Sequence, residues 1–286
     1  MRIVVTGATG HLGRLVADAL VRRGIAASDI VAAGRNPDRL DALAAAGFTA
    51  AAIDYDDPVS LRKAFDGADK LLLVASHHMD RRTTQHLNAI NAACDVGVGL
   101  VAYTSLAGAA TNSSGLAPSH RATEEALRSS GNAFVLLRNG WFMENFTEAI
   151  PRYRKQRRVV GACGDGRVSA ATRADLADAA AHVLTSVGHE GITYELGGDE
   201  AFTMADFAAE LGRRVGSDIP WANLEVEEYE QFLLDKDFGP KLARLYTSFD
   251  ESLAADELLV RSGDLSRLLG RPTTSMSKAV VDALTA

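Results

Sequence analysis

The chain has 286 residues, a formal net charge of −7 and 47% hydrophobic residues, which suits one large α/β domain or a nucleotide domain with a smaller lobe. The acidic balance argues against a nucleic-acid-binding surface, and no apolar run approaches the roughly 20 residues of a membrane span. A strand at the very start leaves no room for a signal peptide, and Cys94 and Cys163 show neither disulfide nor metal-ligand spacing, so a reducing cytoplasm is the expected compartment and no metal is expected.

Arg2-Ile3-Val4-Val5-Thr6 is short, apolar and rich in β-branched residues, and reads as a buried strand. Gly7-Ala8-Thr9-Gly10-His11-Leu12-Gly13 follows it, and Leu12, Leu15, Val16, Ala19 and Leu20 then recur at helical spacing until Gly24. Strand, glycine turn and helix are the context of a dinucleotide fingerprint. Gly7 permits the tight turn, Gly10 lets the backbone approach a pyrophosphate, and Gly13 lets the helix lie close on the sheet. The helix N-terminus offers N–H groups and a positive dipole end to the phosphates.

Further strands are expected at Asp29–Gly34, Phe48–Ile53, Lys70–Ala75, Leu100–Thr104 and Ala133–Leu137, with helices at Pro37–Ala46, Pro58–Phe65, Thr83–Val96 and Ser119–Ser129. The continuous apolar run Lys70–Ala75 is that of a central strand covered on both faces. This alternation predicts an α/β fold, a doubly wound parallel (Rossmann) sheet over residues 1–150, with strand order 3-2-1-4-5-6 and ligands at the carboxyl ends of the strands. Gly108 to Pro118 has no apolar period and reads as a mobile loop over the site.

Phe142 to Arg154 reads as one helix leaving the sheet. Thr172-Arg173-Ala174-Asp175 looks like a capping-box start, with Asp175 in place of the usual Glu. The alanine-rich helix it opens, within 168–188, is expected to return to the sheet, and Thr193–Leu196 resembles another strand. Helices are expected at 204–215, 226–236, 239–247 and 276–284, so residues 151–286 should form a smaller, mostly helical lobe that takes the substrate.

Several positions carry candidate chemistry. Arg35 follows the second strand where an acid would bond the ribose 2′-hydroxyl of NAD, so it suits the 2′-phosphate of NADP, or else is a surface arginine at a helix start. Arg39 is expected to be solvated. Asp54 after the third strand is placed to meet adenine or to cap a helix, and Asp57 is the better cap. Ala75, Ser76 and His77 end the fourth strand beside the nucleotide, and His78 and Tyr103 are candidate substrate contacts. Adjacent histidines on a loop point apart, so they do not suggest a metal pair. Past the sixth strand, Gly140 lets the chain turn. Trp141 and Phe142 there wall a nicotinamide or flat substrate, or else pack the second lobe. Arg152-Tyr153-Arg154-Lys155-Gln156-Arg157-Arg158 is either a solvated helix end or an anion site.

The glycine spacing G-x-x-G-x-x-G is that of the extended and atypical short-chain dehydrogenase/reductases. The stretches VTGATGHLG, GRNP, KLLLVAS, YTSLAGA, LLRNGWFMENF, GDGRVSAATRAD, GHEGITYELGGD and LLGRPTT together resemble the NmrA-like members, and among them the bacterial NADPH:quinone oxidoreductases. They span almost the whole chain. The resemblance implies that residues 7–13, Thr9, His11 and Leu12 included, hold the pyrophosphate and Arg35 the 2′-phosphate. It also implies that the loop after the fourth strand and Asn139, Gly140, Trp141, Phe142, Met143 and Glu144 flank nicotinamide and substrate. His77-His78-Met79, and Pro118-Ser119 ahead of His120, depart from the family pattern.

The main short-chain family uses a serine with a Tyr-x-x-x-Lys pair as its proton relay. None of the six tyrosines here has a lysine four residues later. Ser105 sits at the serine position, and His120 and Glu124 occupy the Tyr and Lys positions, either as a proton donor and its partner or as an ordinary solvated helix face. A quinone accepts hydride without a protein acid, whereas an unactivated ketone normally needs one. The implied function is therefore NADPH-dependent two-electron reduction of a quinone or similar flat acceptor. The alternatives are a non-catalytic NADP-sensing regulator and a reductase of a dye or other conjugated acceptor. A homodimer is left open.

Overall fold

The computed structural model describes residues 1–285. Its strands are β1 (Ile3–Val5), β2 (Ile30–Gly34), β3 (Thr49–Ala52), β4 (Lys70–Leu73), β5 (Leu100–Leu106), β6 (Phe134–Asn139), β7 (Val159–Gly161), β8 (Thr193–Leu196) and β9 (Trp221–Asn223). Seven of them form one sheet in the order β3-β2-β1-β4-β5-β6-β8, every neighbouring pair parallel. The expected strand order is thus found, with β8 added at the edge. Successive residues of β1 serve opposite faces, as a period of two requires. Ile3 and Val5 join the core on one side of the sheet, and Val4 the core on the other.

On the first face lie α1 (His11–Arg22), α2 (Pro37–Ala45), α8 (Arg173–Thr185) and α12 (Asp264–Leu269), through Leu12, Val16, Leu20, Leu43, Leu176 and Leu265. On the second lie α3 (Pro58–Phe65), α4 (Arg82–Asp95) and α5 (Ala117–Ser129), through Leu61, Phe65, Ile90 and Leu127. The second lobe gathers α6 (Glu144–Thr147), α7 (Ile150–Gln156), α9 (Met204–Val215), α10 (Val226–Leu234), α11 (Pro240–Ala254) and α13 (Met276–Thr285) with the parallel pair β7–β9. Phe146, Tyr153, Phe202, Phe207 and Leu253 centre its main core.

Four sequence expectations change. The helix expected over Phe142–Arg154 is two, because Pro151 in the first turn of α7 has no N–H to continue the ladder from α6. Thr172 does cap α8 by accepting from the Asp175 N–H at 3.1 Å, but the box is not reciprocal. The buried Asp175 carboxylate instead accepts from Arg271 and from the Thr274 N–H, each at 2.7 Å. The loop before α5 is held rather than loose. Gly108 N–H donates to Glu195, Ser113 N–H to Glu257, and Arg121 to the carbonyls of Ala109 and Asn112. Finally, β7, β9 and α12 were not expected, since three- and six-residue elements carry too little periodicity to register.

At Gly13 the α1 helix meets the turn before it. A Cβ there would stand 2.3 Å from the Gly7 carbonyl oxygen. Gly13→Ala should therefore force α1 off the sheet and lower stability by about 1–3 kcal/mol. The urea midpoint of the variant reads this directly. An unchanged midpoint would mean that the helix shifts freely.

Candidate active site

The turn between β1 and α1 is built on Gly7, whose φ of +64° is one that glycine adopts without strain. Ala8 N–H donates to the Ala33 carbonyl and Gly10 N–H to the Gly7 carbonyl, which fixes the turn against β2. Gly34 at the end of β2 leaves room for Thr9, whose side chain would lie 2.5 Å from a Cβ there. Gly10 is the N-cap of α1 and brings no side-chain cap. The first-turn N–H groups from His11 to Gly13 therefore point outward with the positive end of the helix dipole. His11 is exposed, and Leu12 lines the cleft described below. This cradle, with glycine wherever a side chain would intrude, fits a pyrophosphate.

Arg39 is exposed, but it is not simply solvated: its Nη1 donates to the Thr9 carbonyl at 2.6 Å and braces the turn. Arg35 reaches across the strand ends to the loop after β4, with Nη1 2.9 Å from His78 Nε2 and Nη2 3.5 Å from His77 Nε2. The two imidazoles lie 4.2 Å apart. Burial, and then the nearby His78 and Arg35, keep the His77 pKa below the ordinary histidine value. His77 lines the cleft, whereas His78 does not. The expectation that His78 meets the substrate is therefore corrected, because its ring is drawn to the Arg35 end of the site. Asp54 is exposed and accepts from the Asp56 N–H, so it shapes the turn, while Asp57 caps α3.

Beneath the loop after β4 runs a polar layer that the sequence reading missed. Tyr55 Oη bonds Thr6 Oγ1 at 2.7 Å, and Thr6 Oγ1 accepts from the Val74 N–H. Ala75 N–H donates to Thr104 Oγ1. Buried His86 accepts the Ser76 N–H at Nε2, so its proton sits on Nδ1 and is shared with Thr123 Oγ1 at 2.9 Å. Desolvation pushes the His86 pKa down to about 3, so the ring is neutral. Buried Arg82 donates from Nε to the Ser76 carbonyl at 2.6 Å and faces Ser119 and His120 with Nη1. The one sequence signal for this layer is the recurrence of Arg82, Gln85 and His86 on one helix face.

The positions that would carry the proton relay are locked into other work. His120 is only 6% exposed, not on a solvated face. Arg82 can only donate, so His120 Nε2 accepts from it at 3.4 Å and Nδ1–H points to Tyr103 Oη at 2.7 Å. Burial, then the Arg82 charge, push the His120 pKa down to about 3. Tyr103 is fully buried behind His120 and does not line the cleft, so it is not a substrate contact. Glu124 is also buried. It accepts from Ser105 Oγ at 2.6 Å and from Arg138 Nε and Nη2 at 2.8 and 2.7 Å. Burial alone would raise its pKa, but the hydrogen bonds from Arg138 and Ser105 outweigh that and hold it below the ordinary carboxylate value.

A cleft of about 840 Å³ opens between the sheet ends and the second lobe. Its sheet side is formed by Leu12, His77, Ser105, His120, Asn139 and Gly140, and its lobe side by Trp141, Phe142, Tyr229, Tyr246, Phe249 and Asp250. Trp141 stands edge-on to Phe249 at 4.7 Å, and the Arg173 guanidinium covers Phe142 at 5.2 Å. Gly140 is close-packed, since a Cβ would lie 3.0 Å from the Leu196 carbonyl oxygen. Met143 and Glu144 are turned away from this cleft. Met143 packs in the second-lobe core, and Glu144 accepts the Arg173 N–H at the start of α8. Of the basic cluster, Arg152 lines the cleft with its guanidinium over Tyr153, while Arg154, Lys155 and Arg157 border a separate, smaller cavity with Val215 and Ile219. Phe249 and Asp250 lie in a stretch with no motif, and nothing in the sequence pointed to them.

A glycine turn that fits a pyrophosphate at the head of a doubly wound sheet, opening into a cleft with an aromatic lobe side, is the arrangement of a nucleotide-dependent oxidoreductase, and the chain belongs to the NAD(P)H-binding family, whose pattern matches residues 7–186. Among its relatives, quinone oxidoreductase 2 of Escherichia coli is 42% identical over 278 residues, spanning 97% of each chain. The E. coli NADPH-dependent quinone oxidoreductase solved with NADPH superposes with a TM-score of 0.95 at 41% identity, covering 99% of each chain. Triphenylmethane reductase of Citrobacter sp., solved with NADP(H), gives a TM-score of 0.94 at 34% identity over 98% of this chain and 99% of that one.

Removing one partner of a buried ion pair strands the other charge, at about 3–5 kcal/mol. Arg138 keeps its bond to Glu195 at 2.8 Å, so Glu124→Ala should cost less, about 1–3 kcal/mol, measured by urea unfolding. The Glu124 carboxyl titrates below its unfolded value, so its contribution is complete above the ordinary carboxylate range and is lost as pH falls through the folded value. A variant as stable as wild type at neutral pH would show that the pair is not coupled to folding.

Proposed function

We propose that this protein reduces quinones with NADPH by direct hydride transfer. The observation that carries the reading is the state of the relay positions. Glu124 is ionised in a buried pair with Arg138, and His120 is neutral and hydrogen-bonded on both nitrogens. Neither is free to protonate a carbonyl during turnover. When bound, NADPH supplies the hydride, and an acceptor that needs no protein acid is the one this site suits. The nearby relatives described as quinone oxidoreductases support that choice.

The protein's share is placement. The β1–α1 turn and α1 N-terminus take the pyrophosphate, and Arg35 takes the 2′-phosphate, with His78 beside it. The loop Ala75 to His77 and the backbone of Asn139 and Gly140 border the nicotinamide. Trp141 and Phe142, backed by Phe249, form a flat wall that holds an aromatic acceptor and excludes water.

Loss of the charged contact to the 2′-phosphate should cost about 1.5–3 kcal/mol, or roughly ten- to a hundredfold. Arg35→Ala should thus weaken NADPH by that factor and leave NADH nearly unchanged in fluorescence titrations. Equal losses for both cofactors would remove the assignment. Menadione should be reduced readily and simple aliphatic ketones hardly at all, and His120→Gln should change kcat/KM for menadione by less than about tenfold. Ketone reduction that disappears in His120→Gln would make the protein a carbonyl reductase instead. Tight NADPH binding with no acceptor turned over would favour an NADP sensor.

A further inference from the structure

Asp250 stands at the lobe end of the cleft with nothing to neutralise it. Its one hydrogen bond is accepted by Oδ2 from the Ala162 N–H at 2.6 Å, and no Lys or Arg forms a salt bridge with it among the described residues. The end of β7, just before the residue that supplies this N–H, must come close. A Cβ at Gly161 would lie 2.6 Å from Asp250 Oδ2 and 2.8 Å from the Trp221 ring. The groups around the carboxyl are Arg152 and Tyr153 on α7, Cys163 after β7, Tyr229 on α10 and Tyr246 on its own helix. Arg152 covers Tyr153 rather than pairing with Asp250. With Oδ2 committed to the backbone, Oδ1 is left for the cleft that Asp250 lines.

A carboxyl in such a place costs free energy when ionised, unless something in the cleft compensates it. We propose that Asp250 is the acceptor-binding acid of this protein: its carboxyl O–H donates a hydrogen bond to an acceptor oxygen and passes that proton to the reduced acceptor. This rests on the quinone reading above. Two-electron reduction by hydride leaves a hydroquinone monoanion. The Asp250 O–H bond breaks, the hydroquinone O–H bond forms, and the carboxylate regains a proton from water at the cleft mouth. Hydride transfer itself does not require this acid, so the gain is modest. Its position next to Phe249, which packs on Trp141, puts the carboxyl at the edge of the proposed flat wall. Burial pushes the Asp250 pKa up to about 6, against a smaller lowering from the Ala162 N–H, so a useful fraction is protonated just below neutrality.

The test is calorimetric binding of menadione to the NADP⁺-loaded protein at about pH 6 and about pH 8, for wild type and Asp250→Asn, with kcat/KM measured alongside. Asparagine keeps the bond to Ala162 N–H but has no proton to give. Wild type should bind menadione several-fold more tightly at the lower pH and lose about five- to tenfold in kcat/KM across the interval. Asp250→Asn should bind NADPH within about twofold of wild type and show no such pH dependence of kcat/KM. A wild-type affinity that does not change with pH, or a pH profile that survives in Asp250→Asn, would overturn the proposal. If the variant does not fold, the wild-type binding profile decides alone. Absence of turnover with pH-dependent menadione binding intact would count against the quinone reaction and not against Asp250.

Discussion

Gly13 lies so close to the Gly7 carbonyl that only hydrogen fits between them. This contact presses the first turn of α1 against the end of β1, between β2 on one side and β4 on the other. The positive end of α1 is thereby fixed at the point where the strand order reverses. The neighbouring elements are tied to this point by short polar links. Thr9 fills the space left by Gly34, Arg39 braces the Thr9 carbonyl, and Tyr55 with Thr6 holds the exit of β4. These links hold the strand ends in place beneath the cleft.

The polar interior explains why proton transfer is not built into the sheet side of the site. Arg82 is a buried cation, and the two histidines nearest it, His86 and His120, are neutral because desolvation and that charge both disfavour imidazolium. Glu124, Arg138 and Glu195 join α5, β6 and β8 through charge-assisted bonds. Side chains that stand where a proton relay would stand have become structural. The opposite lobe contributes an aromatic wall and one carboxyl, Asp250, with no salt bridge among the described residues.

Much of this was legible in the sequence. Long, strongly patterned segments gave the sheet order, because β-branched runs and glycine turns encode local structure. The glycine turn and the position of Arg35 after β2 are local features too. What was not legible depends on contacts across the chain. His78 reads as a cleft residue by its neighbours, but Arg35, 43 residues away, draws it elsewhere. His120 and Glu124 read by spacing either as a proton donor and its partner or as a solvated helix face, but they are buried and bonded to Tyr103, Arg82 and Arg138. The resemblance implies one functional stretch from Asn139 to Glu144, yet Asn139 to Phe142 line the cleft while Met143 and Glu144 face the second-lobe core and the start of α8. Asp250 is invisible to motif reading, since its significance comes from Gly161, Ala162 and three tyrosines of other segments and its own helix.

The central claim is that hydride passes directly from NADPH to a quinone in this cleft. A single-turnover experiment tests it most directly. Protein loaded with NADPH is mixed with menadione, and cofactor oxidation is followed for normal NADPH and for NADPH deuterated at the transferring position. The account predicts complete oxidation of the bound cofactor in one phase, slowed by deuterium. Bound NADPH that stays reduced in the presence of menadione would contradict it.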